Sequence, residues 1–153
     1  MGAKVKGAGT SKIEIEGVKS LKDVSYNIMP DRIEAGTFLC MAATNKANLR
    51  INGVNSTHIT PIIDKLEEAG CKIKVEKNII EIEGVKKLNA VDIKTMPYPG
   101  FPTDMQSIFA TILTIAKGTS IIVENIFENR YKYTKELIRM GEKISIEGNT
   151  DII

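Results

Sequence analysis

Hydrophobic and charged residues alternate in two stretches of the chain that read the same. Residues 13–19 are Ile-Glu-Ile-Glu-Gly-Val-Lys, and residues 80–86 repeat this run letter for letter. Alternation with a period of two is typical of a β-strand with one buried and one solvated face. The glutamates are therefore predicted to lie on solvated strand faces, and the recurrence indicates that the chain is built from repeated units.

Apolar residues spaced three and four apart predict helices between these strands. The first helix is predicted from Pro30 to about Thr44, with Asp31 as its N-cap and Glu34 in the position that completes a capping box. A second helix is predicted to follow the cap residues at 55–57 and to end at Gly70. The corresponding helices of a second unit are predicted at Thr103–Ala116 and Tyr131–Met140.

Short strands complete each unit, which is read as β-α-β-α-β-β. In the first unit they are predicted at Val24–Ile28, Leu49–Ile51, Lys72–Val75 and Ile79–Glu83, and in the second at Val91–Lys94, Ser120–Asn125, Lys143–Glu147 and Asp151–Ile153. Residues 1–18 are predicted to form the last two strands of a preceding unit. Because repeats bury their apolar faces against neighbours, missing neighbours predict exposed apolar patches and self-association.

Composition narrows the class of protein. The 153 residues correspond to about one domain, and 42% hydrophobic with 26% charged residues exclude a disordered chain or a coiled-coil rod. A net charge of +2 predicts neither a nucleic-acid nor a membrane partner, and without a leader or a long apolar run we expect a soluble, cytoplasmic protein. Cys40 and Cys71 are predicted to be buried free thiols, and no Cys/His cluster predicts a metal.

Three ordered stretches stand out: Met29–Phe38, Pro97–Gln106, and Ile126–Arg130 followed by Arg139-Met140-Gly141. Together they resemble the family of UDP-N-acetylglucosamine enolpyruvyl transferases. The resemblance spans essentially all 153 residues but only a middle portion of the family's chain. It implies an α/β fold (α+β by some schemes), an inside-out α/β barrel of β-α-β-α-β-β repeats that is incomplete here. Residues 1–28 would then end the first domain and form the hinge, and residues 29–153 would supply two of three units of the second domain.

The resemblance also implies a reaction. The family moves the enolpyruvyl group of phosphoenolpyruvate to the 3-hydroxyl of UDP-N-acetylglucosamine and releases phosphate, without a cofactor. This is the committed step of peptidoglycan synthesis, which connects it to cell wall biogenesis, cell shape and cell division. The family's reactive cysteine and catalytic lysine lie outside this stretch, and neither Cys40 nor Cys71 matches that cysteine's motif. The 153 residues alone are therefore predicted to be inactive.

Asp104 is the candidate catalytic and substrate-binding residue, and two interpretations compete for it. Cap preferences favour a helix N-cap, as does Asp31 at the equivalent position of the first unit. The stiff loop Pro97–Pro102 favours function, because it is longer than a cap requires. The resemblance favours contact with the sugar 3-hydroxyl. Since a carboxylate is a weak proton acceptor for an alcohol, we expect orientation and partial proton transfer rather than prior deprotonation.

Arg130 and Ile126 are the other candidate substrate-binding residues. Arg130 reads either as a solvated arginine before a helix or as a guanidinium fork for carboxylate or phosphate oxygens. The resemblance implies the second role, facing phosphoenolpyruvate. For Ile126 the pattern alone predicts packing at a strand end, whereas the resemblance implies a backbone contact with the nucleotide sugar.

Two other functions remain open from the sequence. The chain could be a non-catalytic binding or interaction module that reuses the repeat. It could also belong to the sister enolpyruvyl transferase that acts on shikimate phosphate, although the run Pro97–Gln106 looks like the sugar-nucleotide branch.

Overall fold

The computed structural model describes residues 1–153, and the chain opens with a short antiparallel hairpin. Its strands are β1 (Lys4–Lys6) and β2 (Glu14–Glu16), with Val5 opposite Ile15. Every residue from 1 to 31 is exposed, so the hairpin and the segment after it add nothing to the buried core. The two strands predicted within residues 1–18 are confirmed.

The first unit contains two helices and a three-stranded antiparallel sheet of order β3-β5-β4. Its elements are α1 (Arg32–Asn45), β3 (Leu49–Asn52), a 3-10 turn at Ser56–His58, α2 (Thr60–Glu68), β4 (Lys72–Glu76) and β5 (Ile79–Glu83). Asp31 caps α1 as predicted, since its Oδ1 accepts from the N–H groups of Ile33 at 2.7 Å and Glu34 at 3.2 Å. Local sequence signals therefore set this unit's helix start correctly.

The second unit repeats this order with one more strand in its sheet, β6-β7-β9-β8. Its elements are β6 (Ile93–Lys94), a 3-10 turn at Thr103–Met105, α3 (Gln106–Leu113), β7 (Ile121–Val123), α4 (Lys132–Arg139), β8 (Ser145–Glu147) and β9 (Thr150–Ile152). The first two strands run parallel, with Ile93 opposite Ile122, and the other pairs are antiparallel. The helix predicted from Thr103 to Ala116 is thus shorter at both ends, because its first turn is 3-10 and α3 ends at Leu113.

The strand predicted at Val24–Ile28 is wrong. This segment would correspond to β6 of the second unit, but it pairs with nothing, and Ile28 is 91% exposed. A strand needs a neighbour for its backbone groups, and here the edge of β3 that would receive it stays open.

One hydrophobic core joins the two units, because helices α1 and α3 pack against each other. Gly36 in α1 permits this approach: a Cβ there would lie 2.9 Å from Ile62 Cδ1 and 3.0 Å from Met105 Cε. The largest fully buried side chains come from both units and include Leu39, Ile59, Leu66, Ile80, Ile93, Phe109 and Ile122. Cys40 and Cys71 are buried in this core as free thiols, as predicted. No helix has the length and apolar character required to span a bilayer.

The repeated run Ile-Glu-Ile-Glu-Gly-Val-Lys yields a test of this packing. A Cβ on Gly84 would overlap the backbone of Lys46 and Ala47, whereas a Cβ on Gly17 would meet nothing within 4 Å. We expect Gly84→Ala to lower the free energy of unfolding by about 1–3 kcal/mol, because backbone cannot move aside as a side chain can. The matched Gly17→Ala should stay within about 0.5 kcal/mol of wild type in urea denaturation. Equal losses in the two variants would contradict the packing described here.

Candidate functional site

Asp104 lies in the 3-10 turn that precedes α3, and it does not cap a helix. Neither the turn nor α3 has a side-chain cap, so the capping interpretation of Asp104 is wrong. Its side chain is 58% exposed, and Oδ1 accepts from Arg130 Nη2 at 2.8 Å. The other carboxylate oxygen has no protein donor, so Asp104 presents an open acceptor at the surface.

Arg130 reaches Asp104 from the loop between β7 and α4. The preceding residue, Asn129, has a positive φ of 57°, which asparagine tolerates better than most residues and which turns the chain here. The guanidinium lies 5.2 Å above the centre of the Phe127 ring and donates to Asp104, its one side-chain hydrogen bond. The remaining donors of the fork are therefore free to bind an anion.

The loop that leads to Asp104 is closed on itself. Met96 N–H donates to the Phe101 carbonyl at 3.0 Å, and Gly100 N–H donates to the Pro97 carbonyl at 2.8 Å. Arg32, at the start of α1, places its guanidinium 5.2 Å above the Tyr98 ring. The two hydrogen bonds close the proline loop, and the contact of Arg32 with Tyr98 connects it to the first unit.

Ile126 is half-buried just after β7, and its backbone is only partly used. Its N–H donates to Glu124 Oε1 at 2.7 Å, while no protein donor reaches its carbonyl oxygen. A backbone contact of Ile126 with a ligand is therefore left to the carbonyl.

Glu124 connects the turn that carries Asp104 with the loop that carries Arg130, and no sequence pattern pointed to it. This carboxylate is 2% exposed and accepts four hydrogen bonds: two from the hydroxyls of Thr95 and Thr103, and two from the backbone N–H groups of Ile126 and Phe127. Burial raises the pKa of Glu124, but these hydrogen bonds together hold it below its ordinary value. The signal that could have found it is a lone acidic residue directly after the apolar run of β7.

A cavity of about 310 Å³ opens beside Arg130. Gln106, the first residue of α3, lines it together with Ser107, Phe127 and Tyr133. The Gln106 side-chain amide is buried and has no hydrogen-bond partner, which is uncommon for a buried polar group. No three His, Cys, Asp or Glu side chains come together in a way that could hold a metal ion.

The model of one protein family, described as EPSP synthase (3-phosphoshikimate 1-carboxyvinyltransferase), matches residues 1–153. The chain belongs to this family of enolpyruvyl transferases. Among curated proteins, UDP-N-acetylglucosamine 1-carboxyvinyltransferase 1 of Caldanaerobacter subterraneus is 53% identical over 153 residues, which is the whole chain and 37% of that protein. UDP-N-acetylglucosamine 1-carboxyvinyltransferase of Thermodesulfovibrio yellowstonii is 53% identical over 154 residues, again the whole chain and 37% of that protein.

Solved structures of enolpyruvyl transferases share the fold. NikO from Streptomyces tendae superposes with a TM-score of 0.81 at 27% identity, covering 99% of this chain and 37% of NikO. EPSP synthase from Acinetobacter baumannii gives a TM-score of 0.58 at 20% identity, which supports the fold alone. The fold class and the family predicted from the sequence are thus confirmed, with sheets that do not close into a barrel. The chain spans little more than a third of the curated relatives that it matches.

A second buried carboxylate of this transferase-family chain lies on β9. Asp151 is fully buried, and its Oδ2 accepts from the Tyr133 hydroxyl at 2.7 Å, while Oδ1 has no partner. Burial raises the pKa of Asp151 from 3.8 to about 6, and the hydrogen bond from Tyr133 lowers it by less. The folded chain therefore holds this proton more tightly than the unfolded chain does.

Asp151 makes the stability of the folded chain depend on pH, and the sign follows from its raised pKa. The stabilisation from the protonated form is complete below about pH 4 and is lost as the pH rises through about 6, because the unfolded chain releases the proton first. We expect Asp151→Asn, which keeps an acceptor for Tyr133, to remove this loss in urea denaturation between pH 4 and 8. The exposed Asp64→Asn is the control; if its pH profile changed as much, Asp151 would not be the responsible group.

The contrast between Asp31 and Asp104 can be tested directly. Asp31→Ala should destabilise the chain by about 1 kcal/mol, a fall in Tm of roughly 2–4 °C, because it removes an N-cap. Asp104→Ala should change stability by less than about 0.5 kcal/mol, because Asp104 caps nothing and its ion pair is exposed. Thermal denaturation followed by circular dichroism measures both, and a larger loss in Asp104→Ala would restore the capping role.

Proposed function

We propose that this chain is part of an enzyme that transfers the enolpyruvyl group of phosphoenolpyruvate to the 3-hydroxyl of UDP-N-acetylglucosamine. The observation that carries the proposal is the meeting of Asp104 and Arg130, from two loops of one unit, 2.8 Å apart at the surface. One is an acceptor suited to a sugar hydroxyl, and the other is a donor fork suited to an anion. The names of the half-identical relatives support this choice of substrates.

Arg130 binds the carboxylate or phosphate of phosphoenolpyruvate in this proposal. Arg130 then exchanges Asp104 for a ligand whose oxygens match two guanidinium N–H groups at once. An exposed ion pair contributes about 0–1 kcal/mol, so the exchange costs little. Binding of the anion thereby frees Asp104 for the sugar.

Asp104 orients the 3-hydroxyl and takes part of its proton as the sugar oxygen bonds to the enolpyruvyl carbon. The carbon–oxygen bond to phosphate breaks, phosphate leaves with the electron pair, and the proton given up by the sugar hydroxyl leaves with the phosphate. Positioning supplies much of the rate, because the reacting atoms must be held in line. The open carbonyl of Ile126 accepts a hydrogen bond from the nucleotide sugar in this arrangement.

The domain organisation follows from the same proposal. Residues 1–28 are the last strands of one domain and the hinge, and residues 29–153 are two of the three units of the next. The groups that complete catalysis come from parts of the enzyme beyond these residues. The enzyme acts in the cytoplasm at the committed step of peptidoglycan synthesis, and thereby in cell wall biogenesis, cell shape and cell division, without a nucleic-acid or membrane partner. Self-association of the 153 residues stays a prediction, supported by the exposed side chains of Phe38 and Met41 on α1.

One experiment distinguishes the proposed reaction from two alternatives, the shikimate-phosphate reaction and a non-catalytic module. The family model carries the name of the shikimate-phosphate enzyme, which favours that substrate, whereas the half-identical relatives are named for the sugar nucleotide. A non-catalytic module would show no turnover with either acceptor. We therefore test a chimera in which this chain replaces the matching segment of the Caldanaerobacter subterraneus transferase.

We expect the chimera to release phosphate from phosphoenolpyruvate and UDP-N-acetylglucosamine, and the 153 residues alone to release none. Asp104→Asn should lower kcat of the chimera by about 100-fold or more, the usual contribution of a positioned acid or base. Arg130→Lys should mainly raise KM for phosphoenolpyruvate, since lysine lacks the planar fork. Arg50→Lys, an exposed arginine on β3, is the matched control and should behave as wild type.

Turnover by the 153 residues alone would contradict the division of catalytic groups. Turnover of the chimera with shikimate phosphate instead would favour the sister reaction, and an inactive but folded chimera would favour the module.

A further inference from the structure

The two oxygens of the Glu124 carboxylate accept hydrogen bonds from different loops of the candidate site. Oε2 accepts from the Thr103 hydroxyl at 2.8 Å, and Thr103 is the immediate neighbour of Asp104. Oε1 accepts from Ile126 N–H at 2.7 Å and Phe127 N–H at 3.1 Å, at the start of the loop that ends in Arg130. One buried side chain therefore connects two segments that are far apart in sequence.

We propose that Glu124 is a positioning residue that sets the separation between Asp104 and the loop carrying Ile126 and Arg130. The proposal rests on the function proposed above. Glu124 touches neither substrate nor the reacting atoms in this proposal, and acts through the turn and the loop that it holds.

Thr95 reinforces the connection from a third segment, the end of β6. Its hydroxyl donates to Glu124 Oε1 at 2.9 Å and accepts from Asn125 N–H at 2.9 Å. The Asn125 side-chain amide donates to the Thr95 carbonyl at 3.2 Å. Asn125, next to Glu124, is thus hydrogen-bonded to the end of β6. These bonds hold the backbone at Glu124 in place while its carboxylate contacts the two loops.

The fold itself does not require this carboxylate. In the first unit the equivalent strand, β3, ends at Asn52 and continues through Gly53 to the buried Val54, and no carboxylate is buried in that unit. The first unit builds the same strand-to-helix connection without one. Burying a carboxylate costs free energy unless donors surround it, and at this strand end it occurs only in the unit where Asp104 and Arg130 meet, which indicates a role in the site.

The first test uses the 153-residue chain and needs no activity. Thr103→Val removes the hydroxyl that donates to Oε2, and Thr103 has no hydrogen bond to Ile126 or Phe127. We expect the ¹⁵N–¹H resonances of Ile126 and Phe127 to shift nonetheless, because they share the carboxylate with Thr103.

Thr103→Ser keeps the hydroxyl and should leave these resonances in place. Thr111→Val, which removes a hydroxyl that donates only to the Ser107 carbonyl on α3, is the control. Unmoved resonances in Thr103→Val would overturn the coupling.

The second test uses the active chimera, and compares kcat with KM. Thr103→Val should lower kcat by about tenfold or more and change KM for phosphoenolpyruvate by less than threefold, whereas Thr103→Ser should restore kcat to within threefold of wild type. Glu124→Gln keeps one acceptor oxygen for the loop amides and should also lower kcat without unfolding the protein. Equal kcat in the valine and serine variants would overturn the positioning role while leaving the proposed reaction intact. An inactive wild-type chimera would instead refute the proposed reaction, and the resonance test would still decide the coupling.

Discussion

The arrangement of the site depends on a buried negative charge that is satisfied by hydrogen bonds alone. Glu124 has no cation among its partners, and its four donors come from three segments of the second unit. Each donor offsets part of the free-energy cost of keeping the charge in the interior. The requirement therefore acts on the end of β6, the turn that carries Asp104 and the loop that leads to Arg130 at the same time.

The two units share an order of elements but differ in their buried polar side chains. All buried polar side chains belong to the second unit: Thr95, Gln106, Ser120, Glu124, Thr134 and Asp151. The first unit fills the corresponding space with hydrocarbon and uses its aspartate, Asp31, to cap a helix. A shared fold thus supports a structural aspartate in one copy and a surface acceptor in the other, because the partner of Asp104 comes from a loop rather than from its own helix.

Local patterns predicted most of the elements, since a helix start or an alternating strand is specified within a few residues. The failures concern contacts between distant residues. Val24–Ile28 has a strand-like pattern but no paired neighbour, and Asp104 has a cap-like position but an arginine partner 26 residues away. Glu124 falls within the strand predicted at Ser120–Asn125, and alternation cannot distinguish a solvated glutamate from a buried one whose donors lie elsewhere. The resemblance implies the roles of Asp104, Arg130 and Ile126. Periodicity alone predicts Arg130 as an ordinary surface residue and Ile126 as a packing residue.

The two acidic residues of the site differ in how easily they exchange partners, and this difference suits them to different tasks. The pair of Asp104 and Arg130 is exposed, so water and ions compete for it and its dissociation costs about 1 kcal/mol or less. Breaking the contacts of Glu124 would leave a buried charge without donors, which costs several times more. A ligand anion can therefore take Arg130 from Asp104 while the loops that carry both residues keep their positions. A site built in the reverse order, with the exchangeable pair buried and the connecting carboxylate exposed, would have to disrupt its own scaffold in order to bind.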